Sequence, residues 1–201
     1  MNDSKSDDTR NGAASPGPNP KSLGLGVALG AAGATALAAV VGLGVVYTGA
    51  YNVAATEEHT SLGHWALDTS FRNSVKARAD SLTPPEITPQ MLEAGAASYK
   101  AMCAHCHGGP GVERADWAGG MRPRPPHLAE AAAHWETRDV FWIAKHGVKM
   151  TGMPAFGVTH DDEALWSVAA FVKALPGMTP DRYGALGGQA GHHGDGEGQR
   201  P

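Results

Sequence analysis

The alternation of apolar and polar residues divides the chain into segments of different character. Residues 1–21 are polar and rich in proline, glycine and serine, a composition typical of disordered chains. Residues 22–47 are almost wholly apolar, and no charged residue occurs between Lys21 and Glu57. A helix rises about 1.5 Å per residue and the hydrocarbon layer is about 30 Å thick, so this segment predicts one transmembrane helix. Its length and the polar arm before it disfavour a signal peptide, and cleavage near residues 53–55 stays open as an alternative.

The glycines of the apolar segment allow two other interpretations. Gly24, Gly26 and Gly30 are spaced one residue off the dinucleotide-binding fingerprint and follow no strand pattern, which disfavours a nucleotide loop. Gly26 and Gly30 are also spaced as in contacts between membrane helices, so pairing of this helix with another remains open.

Residues 48–87 are predicted to form a connector that contains one short amphipathic helix. Leu67, Phe71 and Val75 recur at four-residue spacing and make one narrow apolar stripe. Such a stripe can lie on the membrane surface, dock on a partner subunit or pack on the protein's own soluble domain. The pattern alone does not choose among these three.

Helical periodicity over residues 88–183 predicts a soluble all-α domain. Thr88 is a suitable N-cap and Pro89 a suitable first residue for a helix that leads to the cysteines. Two further helices are expected, at residues 139–148 with Gly147 as the stop, and at residues 161–175 with acidic residues at the N-terminus.

The remaining segments of this part of the chain predict loops. Prolines crowd residues 123–126, and no segment shows the alternation of a β-strand. Residues 184–201 are rich in glycine and are expected to have no fixed structure.

Composition narrows the function. The chain has 201 residues and a formal net charge of -4, which does not indicate a strongly basic nucleic-acid-binding protein. Cys103 and Cys106 are its two cysteines, and a disulfide between them would close too short a loop to stabilise the fold much. The pair therefore needs a chemical explanation.

Cys103 and Cys106 are followed directly by His107, an arrangement compatible with three chemistries. Thioredoxin-type redox chemistry needs a preceding strand, which the sequence does not show. Structural zinc needs four ligands; no second cysteine pair exists, and His192 and His193 lie in the glycine-rich tail. Covalent attachment of one haem suits the spacing, because cysteines three apart face the same way and His107 follows within reach of the iron.

A candidate for the opposite side of the iron lies in the segment HGVKMTGMPAFG. Met153 stands there between Gly152, which permits close approach of the backbone, and Pro154, which stiffens the loop. A thioether is a soft, neutral ligand that stabilises ferrous iron and raises the reduction potential. Met150 is the nearest competitor and lacks this setting.

Two aromatic residues of the helix at 139–148 are expected near the cofactor. Phe141 and Trp142 are placed to lay apolar area against a porphyrin edge.

These features together resemble class I cytochromes c, particularly the membrane-anchored bacterial proteins with one haem. The resemblance extends over about residues 88–176 and rests on residues 103–107, residues 152–154 and the flanking helices. It implies a small cytochrome c fold around one haem c bound through Cys103 and Cys106, with the iron held by His107 and Met153.

The resemblance has further implications for packing. In this family a glycine and an aromatic residue of the first helix cross an aromatic residue of the last. The residues that fit these places are Gly95, Tyr99, Trp166 and Phe171. The proline-rich loop commonly wraps the haem, so Arg122 or Arg124 could meet a propionate, or both could be surface residues.

Filled axial positions predict electron transfer rather than catalysis, because no open site remains for oxygen or a substrate. The expected function is a tethered carrier between a quinol:cytochrome c oxidoreductase and a terminal oxidase or reductase. A fixed haem subunit of a membrane oxidase or periplasmic dehydrogenase is the alternative, and a haem sensor is the third. Basic residues in segments expected around the haem suggest an acidic partner: Arg122, Arg124, Lys145 and Lys149.

Haem attachment in this family takes place outside the cytoplasm. The resemblance therefore implies a bacterial inner-membrane protein with residues 1–21 in the cytoplasm and the haem domain in the periplasm. Lys21 before the span, with Glu57 and Glu58 after it, agrees with this orientation.

Overall fold

The computed structural model describes residues 20–188, and within them the secondary structure is helical. Its one β feature there is an isolated bridge between Gly109 and Val112, so the predicted all-α class is confirmed. The α-helices are α1 (Pro20–Thr48), α2 (Ser61–Ala79), α3 (Pro89–Ser98), α4 (Ala104–His107), α5 (Leu128–Ala131), α6 (Thr137–His146), α7 (Asp162–Ala174) and α8 (Pro180–Ala185). A π-helical turn spans Tyr99–Cys103, and 3₁₀ turns span Asp116–Gly120, Ala132–His134 and Phe156–Val158. The predicted arm, apart from its last two residues, and the end of the glycine-rich tail lie outside the described residues.

The chain divides into two units, the first ending at Val53 and the second beginning at Ala54. The first contains α1. By length and composition, Leu23–Thr48 is the one stretch within residues 20–188 that qualifies as a membrane span, and a signal sequence would qualify by the same criteria.

The second unit is built on the crossing of α3 and α7. Gly95 lies at the crossing point, where a Cβ atom would come within 2.0 Å of the Ser167 carbonyl oxygen. One turn further along, the ring of Tyr99 packs against that of Phe171, with centroids 5.4 Å apart. The predicted contact of Gly95 and Tyr99 with the helix at residues 161–175 is therefore present. That helix is α7, and Phe171 supplies the partner ring.

This crossing leads to a stability prediction. We expect Gly95→Ala to lower the free energy of unfolding by roughly 3 kcal/mol, because the atoms it would meet belong to the α7 backbone and cannot rotate away. Gly184→Ala is the matched control, since no atom lies within 4 Å of a Cβ there, and it should change stability by less than about 0.5 kcal/mol. Denaturant titration followed by circular dichroism measures both. Equal stabilities would contradict the packing at the crossing.

Trp166 takes part in a second cluster, between α6 and α7. Its ring stacks on that of Phe141 with centroids 3.8 Å apart and an interplanar angle of 7°. Phe141 is only 2% exposed and packs with Leu165 and Ala169. The prediction that Phe141 lies against a porphyrin edge is therefore wrong, because α6 uses this ring to pack on α7.

The stripe of α2 packs within the second unit. The ring of Phe71 meets that of Trp135 edge to face at 5.5 Å, and Val75 and Ala79 have no exposed surface. Leu67, the first position of the stripe, remains 56% exposed. Of the three alternatives, packing on the protein's own domain is the one observed for Phe71 and Val75.

An ion pair fastens α2 to α6. Lys76 donates to the carboxylate of Asp139, which is 1% exposed and also accepts the Glu136 backbone N–H at 2.8 Å. A buried carboxylate is tolerated only with such partners. The packed unit therefore begins within the predicted connector, well before residue 88.

The chain is ordered for several residues beyond Tyr183. The Gly187 backbone N–H donates to the Glu93 carboxylate of α3 at 2.7 Å, and Lys100 donates to the Leu186 carbonyl. The expectation of no fixed structure from residue 184 is therefore wrong for residues 184–188, because side chains of the first helical segment bind this backbone.

Candidate haem site

The predicted haem-attachment motif, residues 103–107 (called the attachment motif below), lies where a π-helical turn meets an α-helix. The π-helical turn Tyr99–Cys103 runs directly into α4, so Cys103 ends the first and Cys106 and His107 lie in the second. Neither cysteine forms a disulfide, and both are half-buried. Residues three apart on such a turn share one side, which is the arrangement that two thioether bonds to one porphyrin require.

The turn after the motif is held by two tyrosines. Gly108 has φ +66°, a conformation that favours glycine, and its carbonyl accepts a hydrogen bond from Tyr99 Oη at 2.7 Å. A Cβ on Gly109 would come within 2.6 Å of the Tyr183 ring. Burial raises the pKa of Tyr99 and, less strongly, that of Tyr183, so both phenols stay neutral. Helix α8, which the sequence did not indicate, thus supports the motif through Tyr183.

The imidazole of His107 is oriented by a backbone carbonyl. Its Nδ1 lies 2.9 Å from the Pro126 oxygen, and because a carbonyl can only accept, Nδ1 carries the proton and Nε2 keeps its lone pair. Burial lowers the pKa of His107, the nearby Arg114 and His127 lower it further, and the Pro126 carbonyl opposes them. The neutral ring therefore presents Nε2 as an available metal ligand.

The environment of the Cys103 thiol disfavours a redox nucleophile. Burial raises its pKa to about 12, with the charge of Cys106 adding to the effect. Reactive cysteines of thioredoxin type have a lowered pKa instead, so this environment disfavours that alternative. Within residues 20–188, no group of three or more His, Cys, Asp or Glu side chains is placed to hold a metal ion.

The loop that carries Met153 is tightly folded. Gly147 has φ +64° and ends α6 as predicted; a Cβ there would lie 2.6 Å from the Pro154 carbonyl carbon. The Met153 carbonyl accepts the Val148 N–H at 3.2 Å, and the Met153 N–H donates to Thr151 Oγ1 at 3.1 Å. Both polar groups of the Met153 backbone are therefore engaged, while its side chain is half-buried and Pro154 is exposed.

The other methionines of this region differ sharply from Met153. Met150 is 92% exposed and has φ +62°, so its thioether faces solvent. The methyl of Met121 would lie 2.0 Å from a Cβ on Gly152. The missing side chain at Gly152 therefore leaves space for the Met121 side chain, whereas the sequence suggested space for backbone. No pattern in the sequence indicated a role for Met121.

The loop of residues 121–126 contacts both the His107 segment and the Met153 segment. At one end the Pro126 carbonyl meets His107, and at the other Met121 packs against Gly152, next to Met153. Residues 121–126 can span at most roughly 18 Å, so the loop keeps the two candidate ligand segments in one region. Trp142 is half-buried, and its ring contact is with His146 of its own helix, at 4.8 Å.

The four basic residues predicted to lie around the haem differ in exposure and in hydrogen-bond partners. Arg124 and Lys149 are exposed, whereas Lys145 donates to the Asp162 carboxylate at 2.6 Å and 2.8 Å. Arg122 has a buried Nε with no hydrogen-bond partner in the described part of the chain.

This set of donors fits a haem. The region supplies two thiols on one turn, an imidazole with an available Nε2, a thioether on a rigid loop and a buried guanidinium N–H that an anionic group would satisfy.

Comparison with known proteins agrees with this chemistry. Residues 90–172 match the family model described as cytochrome c oxidase, cbb3-type, subunit III. The match begins in α3 and ends in α7, and so includes the attachment motif and Met153. A search of curated proteins found no match to the chain. Residues 90–172 therefore form a class I cytochrome c domain.

Proposed function

We propose that the protein is a membrane-anchored mono-haem c-type cytochrome that transfers single electrons in a respiratory chain. It would accept them from a quinol-oxidising complex and deliver them to a terminal oxidase or reductase. The observation that carries this proposal is the hydrogen bond from His107 Nδ1 to the Pro126 carbonyl, inside the segment that matches a cytochrome family. That bond leaves Nε2 free for an iron.

Each residue of the site has a role in this proposal. Cys103 and Cys106 would hold the cofactor covalently, and haem c would supply a one-electron ferric–ferrous couple. His107 and Met153 would be the two protein ligands of the iron, which would leave no open position for oxygen or a substrate. The neutral sulfur of Met153 would favour the ferrous state and so raise the reduction potential.

Exposed apolar side chains support brief contact with a redox partner. Trp117 is 62% exposed on the 3₁₀ turn before the proline-rich stretch, and Val158 is 84% exposed just after the Met153 loop. Arg124 and Lys149 are exposed and positively charged. An acidic partner would be attracted to these cations, and salt would weaken the attraction.

We assign the anchor to α1, with residues 1–21 in the cytoplasm and the haem domain in the periplasm. A tethered carrier stays close to its partners, which raises their effective concentration. The length and composition of Leu23–Thr48 support this assignment.

A fixed subunit of an oxidase or dehydrogenase is the second candidate, and the description of the matching family favours it. Phe71 and Val75 do not add to that candidate, because both are packed within the second unit of this chain.

Extraction of native membranes with a mild detergent separates the two functions. We expect the cytochrome to resist a high-salt wash, to be extracted alone and to be reduced rapidly by an added quinol-oxidising complex that is supplied with quinol. Stoichiometric companions that survive gel filtration would instead identify a fixed subunit. Rapid binding of carbon monoxide by the reduced protein would favour a sensor, because it requires an iron position that Met153 does not hold.

A further inference from the structure

The first two turns of α2 leave several apolar side chains exposed. Leu62 is 72% exposed, Trp65 63% and Leu67 56%. No Asp, Glu, Lys or Arg occurs between Glu58 and Asp68, whereas the rest of the helix carries three basic residues. A helix surface that faces water is normally polar and charged. The composition of these two turns therefore fits an apolar environment better than water.

Leu62 and Trp65 lie on a different face of α2 from the packed stripe. A helix turns by about 100° per residue, so Leu62 lies opposite Phe71, and Trp65 lies about 120° away from Phe71. Leu62 and Trp65 are three residues apart and therefore share one face, the outer face of α2. Phe71 and Val75 hold the helix within the second unit through the other side. The outer face is thus available to a partner outside this unit.

The length of the connector limits how far α2 can lie from the anchor. Helix α1 ends at Thr48 and α2 begins at Ser61. Residues 49–60 can place the start of α2 at most roughly 45 Å from the end of α1. When α1 spans the bilayer, the bilayer surface is therefore within reach of the outer face.

The chemistry of the outer face matches a lipid surface. Tryptophan is enriched where hydrocarbon meets headgroups, because its ring is apolar and its N–H is polar. Leucine adds apolar area that the boundary of the acyl chains can bury. The first two turns of α2 hold no Lys or Arg that would select anionic headgroups, so a zwitterionic surface is sufficient.

We propose that the outer face of α2 inserts into the headgroup region of the bilayer that α1 spans. The occupant of this face is a zwitterionic lipid surface and not a protein. Because α2 is packed within the second unit, this contact restricts the second unit to orientations in which the start of α2 touches lipid. The inference rests on the proposed α1 anchor and is independent of the haem.

The experiment measures the surroundings of a spin label on the full-length holoprotein in phosphatidylcholine vesicles. The label is attached to Ala66→Cys, which adjoins Leu62 on the helix surface and keeps both side chains of the outer face. Ala77→Cys is the matched control, because Ala77 is also exposed and lies three turns further along nearly the same side of α2. Oxygen concentrates in lipid and a nickel chelate stays in water. We expect the ratio of oxygen to nickel collisions to be roughly tenfold higher at position 66 than at position 77.

Two results of this measurement would overturn the proposal. Equal ratios at positions 66 and 77 would show that the outer face is not in lipid. Low collision rates with both oxygen and nickel at position 66 would show that protein covers it, either a second copy of this chain or a companion subunit.

Substitutions of the outer face test its role directly. Leu62→Ser together with Trp65→Ser should lower the ratio at position 66 to that at position 77, whereas Leu67→Ser, away from this face, should change it less than about twofold. All three side chains are exposed, so the substitutions should leave the fold intact. An unchanged ratio in the double variant would contradict the proposal, as would a ratio that rises only when phosphatidylglycerol is added.

A label in α1 separates failure of this inference from failure of the proposed function. A label on Val40→Cys should collide often with oxygen and rarely with nickel, because Val40 lies within the proposed span. Water-like values at position 40 would refute the anchor, and this inference with it. Lipid-like values at position 40 with water-like values at position 66 would refute this inference alone. One label per chain is expected, because haem consumes the thiols of Cys103 and Cys106; three would refute covalent haem and leave this inference standing.

Discussion

Replacing Met153 with leucine is expected to lower the reduction potential by a few tenths of a volt while the haem stays covalently bound. Leucine matches the volume of methionine, so the loop should keep its packing and lose only the sulfur ligand. Axial ligands set haem reduction potentials over a range of about 0.8 V. Removal of a thioether ligand is therefore expected to shift the potential more than most single substitutions do. Potentiometric titration measures the shift, and the far-red absorption of the sulfur–ferric iron bond should vanish.

Met150→Leu is the control for this experiment. Its side chain is 92% exposed and turned away on a residue with positive φ, so its removal should leave potential and spectrum unchanged. An unaltered spectrum in Met153→Leu would disprove Met153 ligation. The same titration of Met121→Leu would then show whether the thioether packed against Gly152 is the ligand.

Serine at both Cys103 and Cys106 is expected to abolish covalent haem. Haem-dependent peroxidase staining on a denaturing gel should disappear, because serine cannot form the thioether bonds that hold the porphyrin through denaturation. Each single variant keeps one sulfur and should retain staining. Its ferrous pyridine spectrum should shift to longer wavelength, since one vinyl group stays conjugated with the ring. Staining that persists in the double variant would rule out attachment through these cysteines.

Structural features that depend on residues close together in the chain were predicted from the sequence. The cap at Thr88 and the stop at Gly147 were anticipated, because each depends on hydrogen bonds or backbone angles within about one helical turn. Asp161 was expected inside the last predicted helix and is instead its N-cap. The attachment motif is similarly local, with its chemistry contained in residues 103–107. Recognition of the cytochrome c domain therefore needed no tertiary information.

Features that depend on distant partners were not predicted or were left undecided. Order at residues 184–188 comes from Glu93 and Lys100, far earlier in the chain. The Phe141 ring packs on Trp166 of the next α-helix, a contact that the pattern of α6 alone does not indicate. The apolar stripe of α2 contacts Trp135 through Phe71, and this contact decided among the three surfaces on which the stripe could pack.

By itself the sequence determined the all-α class, the apolar stretch of α1 and the Cys-x-x-Cys-His motif that indicates a cytochrome c domain, because each follows from composition or short spacing. Only the tertiary structure decided which nitrogen of His107 is free, which methionine faces solvent and which arginine carries a buried, unpaired donor. These properties depend on the Pro126 carbonyl and on burial by the folded loops. Both arise from contacts between segments that no local pattern records.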